Sequence, residues 1–122
     1  MPQSEINVGI IGTGRMGSAR AKALNELEAV DIKWVSSRSE DRGREFADKY
    51  NIDQVITDWE KGCKDPGVEA VVITSPNSLH EEMSVKALEN DKHVLLEYPM
   101  EVSAEKAENI LQKSRKSSGK LH

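Results

Sequence analysis

The sequence is poor in several features that would decide its class outright. One cysteine, Cys63, is too few for an internal disulfide or a cysteine-rich metal pattern, which fits a reducing compartment. No apolar run approaches the roughly 20 residues needed to span a bilayer, and the N-terminus lacks the apolar core of a signal peptide. A cytoplasmic protein with no membrane partner is the expectation. Basic residues are neither in excess nor clustered: 17 Lys and Arg stand against 21 Asp and Glu, for a net charge of −4. Displacing counterions from a nucleic acid takes a basic face, so no nucleic-acid partner is expected. Internal repeats and low-complexity blocks are missing too, and the Lys- and Ser-rich stretch at 113–120 reads as a helix end running into a turn.

What is present is organised around Val8-Gly9-Ile10-Ile11-Gly12-Thr13-Gly14-Arg15-Met16-Gly17. The apolar run 6–11 reads as a buried strand and passes directly into G-x-G-x-x-G, after which helix formers follow. In that setting Gly12 permits a tight turn, Gly14 lets the backbone approach a pyrophosphate, and Gly17 lets the helix pack on the strand. The free N–H groups and positive dipole end of the helix would face the phosphates. Glycine spacing alone is weak; its place between strand and helix raises it. Met16, Ala23, Leu24 and Leu27 suggest the helix's inner side, with Arg20, Lys22 and Glu26 able to reach water, and 32–37 reads as the second strand of a βαβ unit with a right-handed crossover.

The end of that second strand carries the sharpest discrimination. A site selective for NAD places Asp or Glu about 20 residues past the glycines, where it accepts the hydrogen bonds of the ribose diol. Counting from Gly17 lands on Ser37, between Ser36 and Arg38. A carboxylate there would repel a 2′-phosphate, whereas hydroxyls and a guanidinium bind one. NADP(H) is therefore preferred, with NAD(H) as the alternative. The bland reading of Arg38 is a solvated loop charge. Ser39 suits a helix cap, and Glu40 and Asp41 behind it suit the helix dipole.

Further along, 42–50 reads as a helix with Phe46, Ala47 and Tyr50 inward, and 55–57 as a short third strand. A brief helix at 58–64 places Trp59 and Cys63 at i and i+4, which makes Cys63 a packing group rather than a nucleophile. The run 68–74 is apolar on both faces, as a central parallel strand requires. It delivers Ser75, Pro76, Asn77 and Ser78 to its carboxyl end, the edge where open α/β sheets hold ligands. Asn77 or Ser78 can cap the next helix, 79–90, with Met83, Ala87 and Leu79 toward the core. His80 falls in its first turn near the proposed cleft, where a surface or capping role competes with a chemical one. His93 enters a fifth strand, 93–97, which exits into Glu97-Tyr98-Pro99. Glu97 can bond a ribose hydroxyl and the Tyr98 phenol can donate or accept near a transferred hydride; packing against the sheet end is the alternative for Tyr98. A last helix, 102–118, is capped by Ser103, and 120–122 reads as the start of a sixth strand.

These residues resemble the N-terminal domain of the glucose-fructose oxidoreductase, inositol dehydrogenase and MocA (Gfo/Idh/MocA) family. The likeness covers nearly the whole chain through three motifs in order: the glycine stretch from Val8 to Gly17, the run from Val68 through Ser75-Pro76-Asn77-Ser78-Leu79-His80, and Asp91-Lys92-His93-Val94-Leu95-Leu96-Glu97-Tyr98-Pro99. It implies an α/β, three-layer Rossmann fold over residues 1–122, with a mostly parallel sheet of five strands plus the start of a sixth, in the order 3-2-1-4-5. It also implies an NAD(P) site built from Gly12, Thr13, Gly14, Arg15, Met16, Gly17, Ser37, Arg38, Ser75, Pro76, Asn77, His80, Glu97 and Tyr98, with no metal. The family's activity is hydride transfer between the dinucleotide and a carbonyl, alcohol or conjugated small-molecule substrate, in a cleft shared with a C-terminal domain.

Two departures qualify that picture. The family's usual Glu-Lys-Pro is here Glu97-Tyr98-Pro99, so a neutral phenol of reference pKa about 10 replaces a permanent ammonium and Tyr98 becomes the catalytic candidate. Glu-Tyr-Pro looks like the biliverdin reductase branch, where NADPH reduces a linear tetrapyrrole. The second departure is length, which leaves no room for the substrate domain; the chain is expected to bind dinucleotide but not to complete catalysis alone. A stand-alone regulatory module that binds the nucleotide without catalysis is the alternative. An unfinished sheet edge and uncovered apolar surface further predict self-association as a homodimer.

Overall fold

A computed structural model describes residues 6–27, 30–74 and 79–96. Five strands, β1 (Ile6–Ile11), β2 (Val30–Ser36), β3 (Gln54–Ile56), β4 (Ala70–Ile73) and β5 (His93–Leu96), alternate with four helices, α1 (Arg15–Asn25), α2 (Glu40–Tyr50), α3 (Trp59–Cys63) and α4 (His80–Glu89). The sheet order is β3-β2-β1-β4-β5 and every pairing is parallel. Fold class and strand order are those expected. Strand and helix ends move by one or two residues, and α2 starts two residues earlier than expected because Ser39 caps it by accepting from the Arg42 N–H. The expected helix at 102–118 and sixth strand at 120–122 lie outside the described residues.

Parallel strands covered on both faces bury side chains in both directions, which is why they read as continuous apolar runs. In β4, Val71 and Ile73 join one buried cluster while Val72 faces the other. The first cluster, with Trp34, Cys63, Met83, Ala87 and Leu88, lies on the α3 and α4 side. The second holds Val8, Ile10, Ala21, Val35, Phe46 and Ala47 against α1 and α2. The strand β2 serves both clusters through an irregularity: Val8 pairs with Ile32 but Gly9 pairs with Trp34, skipping Lys33. A bulge of this kind shifts the side-chain alternation by one. Ile32 and Val35 therefore face the second cluster while Trp34, 1% exposed, crosses to the first.

The inner face of α1 differs from the sequence reading. Gly17 and Ala21 are buried and Leu24 packs beside them, whereas Met16, Ala23 and Leu27 are exposed. The line 17, 21, 24 follows i, i+4, i+7 spacing, and it is set by contact at Gly17 rather than by the largest side chains. On α4, Met83 and Ala87 are buried as expected, Leu79 packs against the core, and Ser84 and Leu88 are buried as well. The described cap position of α4 is Leu79, which makes no side-chain cap bond; the expected caps Asn77 and Ser78 lie outside the described residues.

Lys92 is buried at 7% exposure, an unusual fate for an ammonium. Its Nζ donates to the carbonyls of Asp65 at 2.6 Å and Val68 at 2.8 Å, which compensates the charge with two strong bonds. The clasp joins the segment entering β4 to the segment entering β5. No described helix is long and apolar enough to cross a membrane.

Candidate functional site

All five strands point the same way, so their carboxyl ends share one edge. The chain leaves β1 for β2 and β3 on one side and returns to β4 and β5 on the other. A crevice opens at that reversal, outside the ends of β1 and β4. It forms a cleft of about 680 Å³, lined at its base by Ile11, Gly12, Thr13, Gly14 and Thr74. Ser36, Ser37, Arg38, Ser39 and Arg42 line it from the end of β2 onward, Thr57, Asp58 and Trp59 from the end of the neighbouring β3, and Leu79 and Met83 from the start of α4.

The glycine turn is anchored from both flanks. Gly12 N donates to the Ser36 carbonyl at 2.9 Å, while Thr74 N and Thr74 Oγ1 each donate to the Ile11 carbonyl at 2.9 Å. Gly12 has φ 114°, a backbone region that side chains avoid. Gly14 is the N-cap of α1 and Ser18 N bonds its carbonyl at 2.9 Å, so the N–H groups of Arg15, Met16 and Gly17 are the first-turn donors with no partner inside the helix. The first turn of α1 holds no acid, whereas those of α2, α3 and α4 all do. Its positive end is thus left for an external anion.

The glycines fit a bound pyrophosphate in different ways. A methyl at Gly17 would stand 2.5 Å from the Gly12 carbonyl oxygen, so packing of helix on turn demands glycine there. A methyl at Gly14 would meet nothing within 4 Å. Packing of the described residues gives no reason for glycine at 14; open space above a row of helix N–H groups gives one. The residues fit a dinucleotide.

At the end of β2, Ser37 and Arg38 line the cleft. Ser37 N donates to the Ile56 carbonyl at 3.1 Å and Ser37 Oγ accepts from Ser39 N at 3.2 Å, which fixes the hydroxyl's position. Gly12, Thr13 and Gly14 come together with them, Gly17 is buried behind the turn, and Arg15 and Met16 are exposed on the first turn. Ser75, Pro76, Asn77, Glu97 and Tyr98 lie outside the described residues. His80 opens α4, and its side chain is likewise outside the description. Sequence reasoning missed Arg42, Thr57, Asp58 and Trp59 as cleft residues. A signal was available for the last three, since they follow β3 at the same ligand-bearing edge.

Cys63 is fully buried in the α3 and α4 cluster, and burial pushes its thiol up to about 12. A thiol is nucleophilic only as thiolate, so Cys63 is inert at neutral pH. Native protein at pH 8 is expected to resist alkylation until it unfolds, which mass measurement after timed iodoacetamide treatment checks. Because the folded value lies above the ordinary thiol value of 9.0, this group's stabilising contribution is complete below about pH 9 and is lost as pH rises toward 12. Away from the cleft, a hydrogen bond with Ser18 holds the Tyr50 phenol below its ordinary value, helped by Lys49. Among the described residues no group of three His, Cys, Asp or Glu could hold a metal ion.

Residues 6–122 match the oxidoreductase family with an NAD-binding Rossmann fold, Gfo/Idh/MocA. The chain belongs to that family. Its described residues carry that family's NAD-binding Rossmann fold. It is 36% identical over 107 residues to scyllo-inositol 2-dehydrogenase (NADP(+)) IolW of Bacillus subtilis (strain 168), covering 86% of this chain and 29% of that one. It is 28% identical over 116 residues to scyllo-inositol 2-dehydrogenase (NAD(+)) of the same organism, covering 94% and 34%. A crystal structure of biliverdin reductase in complex with biliverdin and NADP+ from Synechocystis sp. PCC 6803 superposes with TM-score 0.90 at 29% identity, over 96% of this chain and 37% of that one. The chain spans about a third of the length of the curated relatives it matches. Relatives of this Gfo/Idh/MocA domain thus include both NAD- and NADP-named enzymes.

Proposed function

We propose that this domain binds NADP(H) in preference to NAD(H) and serves hydride transfer to or from a carbonyl, alcohol or conjugated small molecule. The observation that carries the preference is the end of β2, where the cleft is lined by Ser36, Ser37 and Arg38 rather than by a carboxylate. The NADP(+)-named relative IolW and the NADP+ complex of the Synechocystis enzyme support it.

In this reading the N–H groups at the start of α1 and the open face of Gly14 seat the pyrophosphate. Ser37 offers a hydroxyl and Arg38 a guanidinium fork to the 2′-phosphate. When bound, the dinucleotide supplies or accepts the hydride. Pro76, Asn77 and Glu97 orient the nicotinamide end, and Tyr98 donates a hydrogen bond to the reacting oxygen or conjugated system without a fixed charge. The Glu-Tyr-Pro sequence favours a conjugated acceptor, in keeping with the biliverdin-bound structure. Self-association as a homodimer belongs to the same proposal.

Calorimetric titration with NADPH and NADH side by side tests the preference. NADPH is expected to bind at least about tenfold more tightly, equivalent to ~1.4 kcal/mol. Equal affinity, or tighter NADH, overturns it.

A further inference from the structure

Among the described residues three large apolar side chains stand in solvent: Ile6 at 44% exposure, Met16 at 43% and Leu27 at 53%. All three lie on the α1 side of the sheet. Met16 belongs to the first turn of α1, and Leu27 extends its last turn, its N–H bonding the Leu24 carbonyl at 3.0 Å. Ile6 alternates with Val8 and Ile10 and so shares their face, at the strand entrance where Val30 N bonds the Leu27 carbonyl. Scattered apolar residues on a surface mean little, whereas three gathered on one side mark a contact.

Between Met16 and Leu27, Ala19 and Ala23 are exposed as well. The four follow i, i+3, i+7, i+11, which sets them in one row on the side of the helix away from buried Gly17 and Ala21. Arg20 runs along the inner border of that row, partly buried. The row is large at both ends and small in the middle, so it reads alike in either direction. Antiparallel pairing with a copy of itself therefore sets Met16 on Leu27 at each end, while the alanines let the two backbones close at the centre. Charge selects the same arrangement. Arg15 and Glu26 are exposed along the outer border, at opposite ends of the row. An antiparallel pair brings Arg15 to Glu26 of the partner subunit and opposes the two helix dipoles, whereas a parallel pair sets like on like. Lys22, near the centre, is exposed and carries its ammonium out to water.

We propose that this row is the dimer contact of the chain, α1 packing antiparallel on α1 of a second copy about a two-fold axis near Lys22. The inference rests on the self-association stated above and names its surface; the dinucleotide reading does not enter it. A row of this length stays below the ~800 Å² per partner of a standard interface. The dimer is therefore weak, with a dissociation constant on the order of 10 μM, and it forms and separates with concentration.

Sedimentation of the full chain from about 1 to 300 μM tests it, and the parent is expected to pass from monomer to dimer across that range. Ala23→Glu puts a carboxylate at the centre of the contact on a face exposed in the monomer. Its dimer should weaken at least about 50-fold with the monomer's thermal midpoint unchanged. Ala23→Cys gives a second readout that needs no loss of binding. A short bismaleimide should join two copies through it without background from the buried Cys63, while Glu45→Cys on the exposed side of α2 should stay unjoined. A dimer that Ala23→Glu leaves intact, or one that does not join through Ala23→Cys, overturns this surface and leaves self-association standing. A parent that stays monomeric throughout overturns both, and slow maleimide reaction at Ala23→Cys in that case shows the row covered from within the chain.

Discussion

Alanine at Gly14 and alanine at Gly17 are expected to fail in opposite ways. The Gly17 methyl would be forced within 2.5 Å of a backbone oxygen and 3.2 Å of Thr74 Oγ1. Overpacking typically costs ~1–3 kcal/mol and more against backbone, which cannot swing aside. Alanine recovers about 1 kcal/mol as the better helix former. The clash wins, for a net loss of ~2 kcal/mol and a midpoint lower by roughly 8 °C. Gly14→Ala meets no atom of the fold, and poorer capping costs only about 0.5–1 kcal/mol. Its methyl instead occupies the open space above the helix N–H groups. Dinucleotide affinity is expected to fall on the order of 100-fold, the scale of losing one charge-assisted bond. Thermal melts and calorimetry on the two variants check the pair. A Gly14→Ala variant that binds normally would remove the pyrophosphate from this turn.

The second large effect concerns the sheet. A methyl at Gly9 would stand 2.1 Å from Cζ2 of Trp34, with two more ring atoms at 2.3 and 2.4 Å. The indole cannot retreat, because its far side already meets Gly62, where an added methyl would lie 2.6 Å away. Gly9→Ala is expected to cost more than ~3 kcal/mol, at or beyond the top of the overpacking range. Trp34→Ala should cost ~3–5 kcal/mol as a cavity. Against a total stability of about 5–15 kcal/mol, either change leaves the chain near its unfolding limit. The two are coupled through one volume. Gly9→Ala combined with Trp34→Ala should be more stable than the sum of the single changes predicts, by ~1 kcal/mol or more. Urea denaturation followed by circular dichroism measures the cycle, and strict additivity would show that the ring is not held between the two glycines.

The sheet and the base of the site were legible for physical reasons. Strands buried on both faces have little freedom in composition, so β1 and β4 stand out as apolar runs. The turn after β1 needs glycine at Gly12 for its φ and at Gly17 for contact, and those needs print a spacing. The inner face of α1 was misread because apolar size, at Met16 and Leu27, was a poorer guide than the contact made by a residue with no side chain. Phase was hidden in β2, since the alternation Ile32-Lys33-Trp34 puts Ile32 and Trp34 on one face, whereas the skipped Lys33 sends Trp34 to the other. Arg42 was hidden for a related reason. Seen along the chain it opens a helix; only the approach of β2 and β3 brings it to the cleft.

The buried ammonium of Lys92 sits at the strand entrances, the end of the sheet remote from the cleft. By gripping two main-chain oxygens from the β3-to-β4 connection, it ties two consecutive crossovers into a single base. A cofactor seated at the opposite edge would therefore rest on a sheet pinned from below, its entry end held by one buried charge rather than by packing alone.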